Sequence, residues 1–534
     1  MSNFKLLDCT LRDGGYINDW KFGHNTLINI FERVTSAGID LIEVGFLDQR
    51  HDFNINRSIM PTTECMSKIY GNLSRRNTLV VGMIDYGTCD LKNIQPCKDC
   101  FLDGIRVIFK KHLRIEALEY CKQLKQLGYK VFTQAVSITS YNDDELLDLI
   151  RLVNEVKPFA VSIVDTYGLL HKNSLFHYYE MMNKHLADSI GIGYHSHNNF
   201  QLGYANCIEL MNRHGENPRM LLCDGSVFGM GKGAGNAPTE LLAMYMNENF
   251  GKQYDISQLL EAIDVNVLEI YRHSPWGYSM KFFIAASNDC HPDYVSYLLE
   301  KKTLSVKAIN EILKNLSEDK KLLYDKSYIE QLYVNYQKHD CDDAVAYQEL
   351  ISQLKDKTIL VLGPGKNIKS EKDLITDYIS KNAPLIISIN FLPEEWAIDY
   401  MFLTNSKRYV QQATSISILG KKIKIIATSN VTKSNGEFDY NMDYESLIDR
   451  DAVFMDNSFI MLLKVLIKAG VSHVSLAGFD GYSSDRETNY YSSKMEYDFA
   501  KQKGDEINTY VNQMLKEIQN KLSLNFVTST VYQL

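Results

Sequence analysis

Leu-Ile-Glu-Val-Gly, residues 41–45, is a nearly continuous apolar, β-branched run. A strand with one wet face alternates apolar and polar residues. A run like this one instead fits a strand buried on both faces, as in a parallel sheet covered by helices. Seven more β-like runs stand at 5–10, 78–84, 104–109, 130–137, 159–165, 191–197 and 220–225, and with 40–45 they make eight. Between them lie amphipathic stretches such as 144–156, with apolar residues at three-and-four spacing. Eight strand–helix units over about 250 residues is the size of a (β/α)8 TIM barrel. An open doubly wound sheet also alternates, but rarely through so many units. The fold class expected is α/β, with the barrel over 1–253.

In such a barrel the chemistry gathers at the C-terminal ends of the strands. Asp13 falls just after the first strand, Thr166 just after the sixth, and His195 and His197 at the end of the seventh. The glycine-rich stretch 229–240 follows the eighth. Two imidazoles at i and i+2 point to the same face of a strand. With one carboxylate they form a facial metal-ligand set that leaves positions open for substrate and water. Taken singly, Asp13 in Asp13-Gly14-Gly15 also suits a turn, and each histidine suits a polar strand end. It is their convergence on one mouth that favours a metal site. Arg12 fits either a structural ion pair or a fixed cation for a developing enolate oxygen. The glycines of 229–240 suit either a phosphate cradle or a close approach of backbone to a metal-bound substrate.

From 254 to 355 the pattern is almost wholly helical, as for a bridge or a dimer surface. A second α/β domain with a Rossmann-like sheet is expected over 356–534. It opens with the strand and tight turn Thr358-Ile-Leu-Val-Leu-Gly-Pro-Gly365, followed by β-runs at 385–390, 400–404, 423–428 and 473–477. Gly363, Gly365 and Asn367 at that turn suit a phosphate held by backbone N–H groups, but the full dinucleotide fingerprint is absent.

At 534 residues the chain exceeds one ordinary core. Its net charge of −9 argues against a nucleic-acid partner. With no long apolar span and no signal-peptide pattern, neither a membrane partner nor export is expected, and the location expected is cytoplasmic. The ten cysteines are no disulfide framework. Cys97 and Cys100 lack a second pair to complete a zinc site, so reduced thiols are expected.

Three strings carry a resemblance: Thr-Leu-Arg-Asp-Gly (10–14), His-Ser-His-Asn-Asn (195–199) and Asp-Gly-Ser-Val-Phe-Gly-Met-Gly-Lys-Gly-Ala-Gly-Asn-Ala-Pro-Thr-Glu (224–240). Residues 3–290 resemble the metal-dependent DRE-TIM lyases (HMGL-like), and within them most resemble the 4-hydroxy-2-oxovalerate aldolases. The resemblance implies that Asp13, His195 and His197 ligate Mn2+ or Mg2+ and that Arg12 stabilises a pyruvate enolate. It also implies that Thr166 and Asn236 lie at the substrate and that Tyr278 enters the mouth from the post-barrel helices. A tyrosine merely packing a helix is the alternative for Tyr278. One position departs from the family. The aldolases carry a histidine base three residues after the metal-binding aspartate, where this chain has Tyr16, and a phenol is a poor base at neutral pH. Tyr16 is then a proton donor, a substrate hydrogen bond, or a sign of a different aldehyde.

Pieces between 357 and 485 loosely resemble Rossmann-like sialyltransferase and pterin pyrophosphokinase-like proteins, which implies a nucleotide or nucleotide-sugar partner there. A docking or oligomerisation domain is the alternative. The expected function is a metal-dependent aldolase that cleaves or forms a 4-hydroxy-2-oxo acid. Its partners are a small 2-oxo acid and an aldehyde, the latter sugar-derived and used in surface-polysaccharide synthesis, and a homo-oligomer is expected. The rivals are an acyl-CoA-dependent Claisen-type enzyme on the same barrel and an inactive scaffold.

Overall fold

The computed structural model describes residues 3–301, 304–321, 323–337, 341–419, 422–431, 437–450, 452, 454–484, 489–492, 495 and 503–533. The chain divides into two compact units, Met1–Pro292 and Asp293–Leu534.

The first unit is a closed parallel barrel. Its strands are β1 (Phe4–Asp8), β2 (Leu41–Leu47), β3 (Leu79–Asp85), β4 (Gly104–Phe109), β5 (Lys130–Ala135), β6 (Ala160–Asp165), β7 (Gly191–Ser196) and β8 (Leu221–Gly225). Each pairs with the next in parallel, and β1 pairs with both β2 and β8, which closes the ring. All eight lie on the runs read from the sequence. Only their ends shift: Thr10 leaves the expected first strand for the helical turn Thr10–Asp13, and His197 falls one residue beyond β7.

Period-two alternation fills the barrel in layers. Leu7, Leu41, Val81, Phe132, Ala160 and Leu222 pack together as an apolar floor. Two residues further along their strands, toward the C-terminal ends, stand Glu43, Gln134, Ser162 and Asp224, all buried. The outer faces of the same strands pack on the helices. His24–Ser36 buries Leu27, Ile30, Phe31 and Val34, and Asp143–Val156 buries Leu146, Leu149, Ile150 and Val153. The latter helix opens with a capping box, Asn142 with Glu145.

Gly45 shows what the opening stretch demands. Its φ is +148°, and a Cβ there would stand 2.0 Å from the Ser58 carbonyl oxygen. The β2–β3 register shifts at the same place, between Glu43 and Phe46. Glycine lets the second strand pass this carbonyl and carry Phe46 toward the mouth.

The second unit opens with helices that include Val306–Leu313, Lys326–Gln337 and Ala344–Leu354. Its sheet comprises β9 (Ile359–Leu362), β10 (Leu385–Ile389), β11 (Tyr400–Leu403), β12 (Lys424–Thr428), β13 (Tyr440–Met442), β14 (His473–Ala477) and β15 (Ser523–Phe526). The order is β13-β12-β11-β10-β9-β14-β15 with every pairing parallel. Ile359, Val361, Ile387 and Phe402 face one core, and Leu360, Leu362, Ile386 and Met401 face the other. Both faces are therefore covered, as in doubly wound folds. β13 and β15, at the two edges, are additions to the strands read from the sequence.

All ten cysteines are free thiols. Among the described residues no helix is long and apolar enough to cross a membrane.

Candidate metal centre

Asp13, His195 and His197 offer one ligand atom each, all within 4.8 Å of one another, and all three residues are buried. Among the described residues no other cluster of histidine, cysteine and acidic side chains does this. Asp13 ends the helical turn after β1, whose Cys9 N–H donates to Gly225 O of β8 at 2.8 Å. His195 lies in β7, and His197 bridges Asn236 in the loop after β8.

The hydrogen bonds behind the imidazoles set their tautomers. His195 Nδ1 donates to Asp224 Oδ2 at 2.9 Å, and His197 Nδ1 donates to the Asp165 carbonyl at 3.0 Å. Both Nε2 atoms are then lone-pair donors turned toward Asp13, at 3.9 Å from Oδ1 and 3.6 Å from Oδ2. His197 Nε2 is buried without a hydrogen-bond partner. Two lone pairs facing a carboxylate repel it unless a cation lies among them. The donor set therefore fits a divalent metal that accepts oxygen and imidazole nitrogen.

A ring of buried charges surrounds this set. Arg12 donates through Nε to Glu43 Oε2 at 2.6 Å and through a terminal nitrogen to Asp13. Arg106, wholly buried, lies 3.2 Å from Glu43 Oε1 and donates to Asp224, which holds His195. Two guanidiniums stand against the three carboxylates of Asp13, Glu43 and Asp224, so the ring carries one net negative charge, and a cation relieves it. Burial disfavours charge at Asp13, but the Arg12 guanidinium outweighs it and holds the carboxyl well below its usual range. Burial also opposes charge at Asp224, and Arg106 and His195 again prevail. Burial lowers His195, which favours the neutral imidazole that a metal ligand must be.

The glycine-rich loop closes on Asp13. Lys232 N–H donates to Asp13 Oδ2 at 3.1 Å, and Asn236 Nδ2 donates to the same oxygen at 2.8 Å. A Cβ at Gly231 would stand 2.5 Å from it. The backbone of the loop thus comes close to Asp13 itself. Asn236 thus lies against a metal-ligand candidate.

Thr166 Oγ1 accepts from Ser137 N at 2.8 Å, which leaves its own O–H to donate at the mouth. The Tyr16 ring packs edge-on against Trp20 at 4.9 Å, and Trp20 Nε1 donates to Arg12 O at 2.8 Å. Burial of the Tyr16 hydroxyl pushes its pKa up to about 12, so it stays protonated at neutral pH. Tyr278 is 63% exposed, and its ring meets Phe283 at 6.4 Å. Glu43, Arg106 and Asp224 are absent from the sequence-derived set, although each is a charged residue inside an apolar strand run.

In the second unit a cavity of about 1020 Å3 lies at the C-terminal ends of β9, β10, β11 and β14. Gly365, Asn390, Asn405, Arg408, Gly478 and Asp480 are among its lining. The strand order reverses between β9 and β14, the switch point at which open α/β sheets place ligands. The phosphate cradle expected at the first turn is not offered there. Gly363 N donates to Ala477 O at 2.8 Å, Gly365 N to Gly478 O at 2.9 Å, and Asn367 N to Asp480 Oδ2 at 2.8 Å. A carboxylate of the protein itself takes the place at the helix start.

The first unit is a closed parallel barrel with a carboxylate and two imidazoles at its mouth, a set that could hold a metal ion. Residues 3–265 match the HMGL-like family model, and this part of the chain is an HMGL-like (DRE-TIM) domain. The chain is 24% identical over 266 residues to 4-hydroxy-2-oxovalerate aldolase 6 of Rhodococcus jostii, covering 49% of this chain and 73% of the relative. It is 23% identical over 286 residues to an oxaloacetate decarboxylase of Mycobacterium tuberculosis, covering 52% and 81%. A hydroxymethylglutaryl-CoA lyase structure from Pseudomonas aeruginosa superposes with a TM-score of 0.42 at 16% identity, covering 56% of this chain and 99% of that one.

Proposed function

We propose that the first unit is a divalent-metal-dependent aldolase that makes or breaks the C3–C4 bond of a 4-hydroxy-2-oxo acid through a pyruvate enolate. The observation that carries this reading is the pair of Nε2 lone pairs turned at Asp13, with Arg12 in the same ring. The names of the relatives support it. Retro-aldol cleavage of 4-hydroxy-2-oxovalerate and decarboxylation of oxaloacetate both leave pyruvate enolate.

A cation held by Asp13, His195 and His197, Mn2+ or Mg2+, supplies the Lewis acidity that favours the enolate. Arg12, fixed between Glu43 and Asp13, presents a permanent positive charge to the enolate oxygen and needs no reorganisation to do so. Thr166 donates its O–H to the carboxylate of the 2-oxo acid. Tyr16, a protonated phenol, donates a hydrogen bond, and then its proton, to the alkoxide formed on addition to an aldehyde.

Exchange of the pyruvate methyl protons in D2O, followed by NMR, tests the enolate step without any aldehyde. Exchange is expected with Mn2+ or Mg2+ and is expected to stop when EDTA is added. A protein that binds the metal and exchanges nothing overturns the reading.

For the second unit we propose a nucleotide or nucleotide-sugar ligand, which would suit an aldehyde partner derived from a sugar in surface-polysaccharide synthesis. The switch-point cavity, with Asn390, Asn405 and Arg408 in its wall, supports this. Calorimetric titration with UDP and CMP is expected to show saturable binding that weakens on Asn405→Ala. Absence of heat with both nucleotides counts against it.

A further inference from the structure

We propose that the cavity of the second unit takes a nucleoside diphosphate rather than a monophosphate, its two phosphates received side by side at the starts of the helices Ser406–Leu419 and Ser458–Lys468. The proposal rests on the nucleotide reading above and specifies the ligand class of that same site.

These two helices, of 14 and 11 residues, both begin at the cavity behind an asparagine. Asn405 follows β11, and its Oδ1 accepts from Arg408 N at 3.1 Å. Asn457 Oδ1 accepts from Phe459 N at 3.1 Å and from Ile460 N at 3.2 Å. Each cap commits its carbonyl oxygen to its own helix, which leaves the amide nitrogen for another partner. Asn405 lines the cavity and is 7% exposed, yet among the described residues nothing accepts from its Nδ2. Asn457 Nδ2 and the Ser458 N–H, in the same lining, also have no acceptor among the described residues. Buried donors of this kind call for an acceptor in a ligand.

The two caps are fixed to one another. Thr404 Oγ1 and Ser458 Oγ lie 2.6 Å apart, and Asn390 Nδ2 donates to both, at 3.2 and 2.9 Å. Asn390 Oδ1 accepts from Thr404 N at 3.0 Å, so this amide is held at both ends. Of the two hydroxyls one donates to the other, and the second keeps its proton for a ligand. Thr404 precedes Asn405 and Ser458 follows Asn457, so the knot sets the helix starts beside each other. A helix start carries about half a positive charge and attracts an anion. Two adjacent starts suit two linked phosphates, whereas a monophosphate engages only one. Arg408, in the first turn of Ser406–Leu419, brings a permanent positive charge to the same lining.

Two carboxyls of the lining bear on this placement. Asp456 accepts from the Tyr444 hydroxyl at 3.2 Å and lies within electrostatic reach of Lys301. Asp480 follows β14, three strand spacings from β11, or roughly 14 Å. That stretch of the cavity, with Gly365 and Gly478 in its wall, takes the nucleoside.

The test titrates the full chain calorimetrically with matched pairs: UDP and UMP, CDP and CMP, ADP and AMP, GDP and GMP. EDTA is present, so that the barrel centre offers the phosphates no cation. The diphosphate of at least one base is expected to bind about 10–100-fold tighter than its monophosphate, as for one or two further charge-assisted hydrogen bonds. Asn405→Asp keeps an oxygen for the Arg408 N–H and so keeps the helix cap, but replaces the outward donor by a negative charge. It is expected to weaken the diphosphate at least tenfold with no fall in the thermal unfolding midpoint. Ser458→Ala, on the other helix, is expected to narrow the ratio within the responding pair. Equal affinity within every pair that binds, or diphosphate affinity unchanged in both variants, overturns the proposal and leaves the nucleotide reading standing. Absence of binding by all eight nucleotides instead overturns the nucleotide reading beneath it.

Discussion

Asp13→Asn is expected to abolish both Mn2+ binding and turnover. The substitution keeps the shape of the side chain and removes the one carboxylate among the three candidate ligands. It also takes the buried ring from one net negative charge to none, and so removes the electrostatic reason for a cation to enter. Loss of metal-based charge stabilisation is worth several kcal/mol, or about 10^3-fold or more in rate. Titration by electron paramagnetic resonance measures the metal, and exchange of the pyruvate methyl protons measures the chemistry. Wild-type Mn2+ affinity in the variant would sink the assignment of the site. Retained exchange in a variant that no longer binds metal would instead show that enolate formation belongs to Arg12 and its neighbours.

The second large effect concerns stability. Arg106 is wholly buried in the barrel, joining Glu43 of β2 to Asp224 of β8. Arg106→Met keeps the apolar stem and takes the guanidinium away from Asp224 and from Oε1 of Glu43, leaving Arg12 and His195 as their remaining partners. Breaking a buried charge pair from one side costs about 3–5 kcal/mol, and urea unfolding at neutral pH reads it. Asp224→Asn removes one of the stranded carboxylates, so the double variant is expected to lose less than the sum of the two single losses. Strict additivity would mean that the two side chains do not act as one unit. A further sign separates this network from passive filling. Asp224 holds the His195 ring, so Asp224→Asn is expected to weaken Mn2+ binding by about 10–100-fold, the usual effect of an outer partner.

Much of the barrel was legible because burial on both faces writes itself into the sequence as unbroken apolar runs. The run 41–45 and its seven companions mark the observed strands to within a few residues. The meeting of Asp13 with His195 and His197 was legible because spacing on a strand end fixes direction: the two histidines must share a face. The network beneath was not read, although its signal was present. Glu43 in Leu-Ile-Glu-Val-Gly and Arg106 in Gly-Ile-Arg-Val-Ile-Phe are charges where no water reaches, and such charges must meet partners. What sequence order hides is that β4 faces β2 and β8 across a closed ring.

In the second unit the edge strands Tyr440–Met442 and Ser523–Phe526 are short and mixed in polarity, so they carry no such run. The turn at Gly363 was misread for a different reason. Its glycines do serve a close approach, but to Gly478 and to the carboxylate of Asp480, 113 residues away from Asn367. No local pattern announces a side chain that arrives from so far along the chain.

The six apolar side chains of the floor bear on kinetics as well as packing. On the proposed function a barrel closed from below by this floor leaves the cation, the 2-oxo acid and the aldehyde one doorway, so inhibition kinetics are expected to show ordered binding without any moving lid.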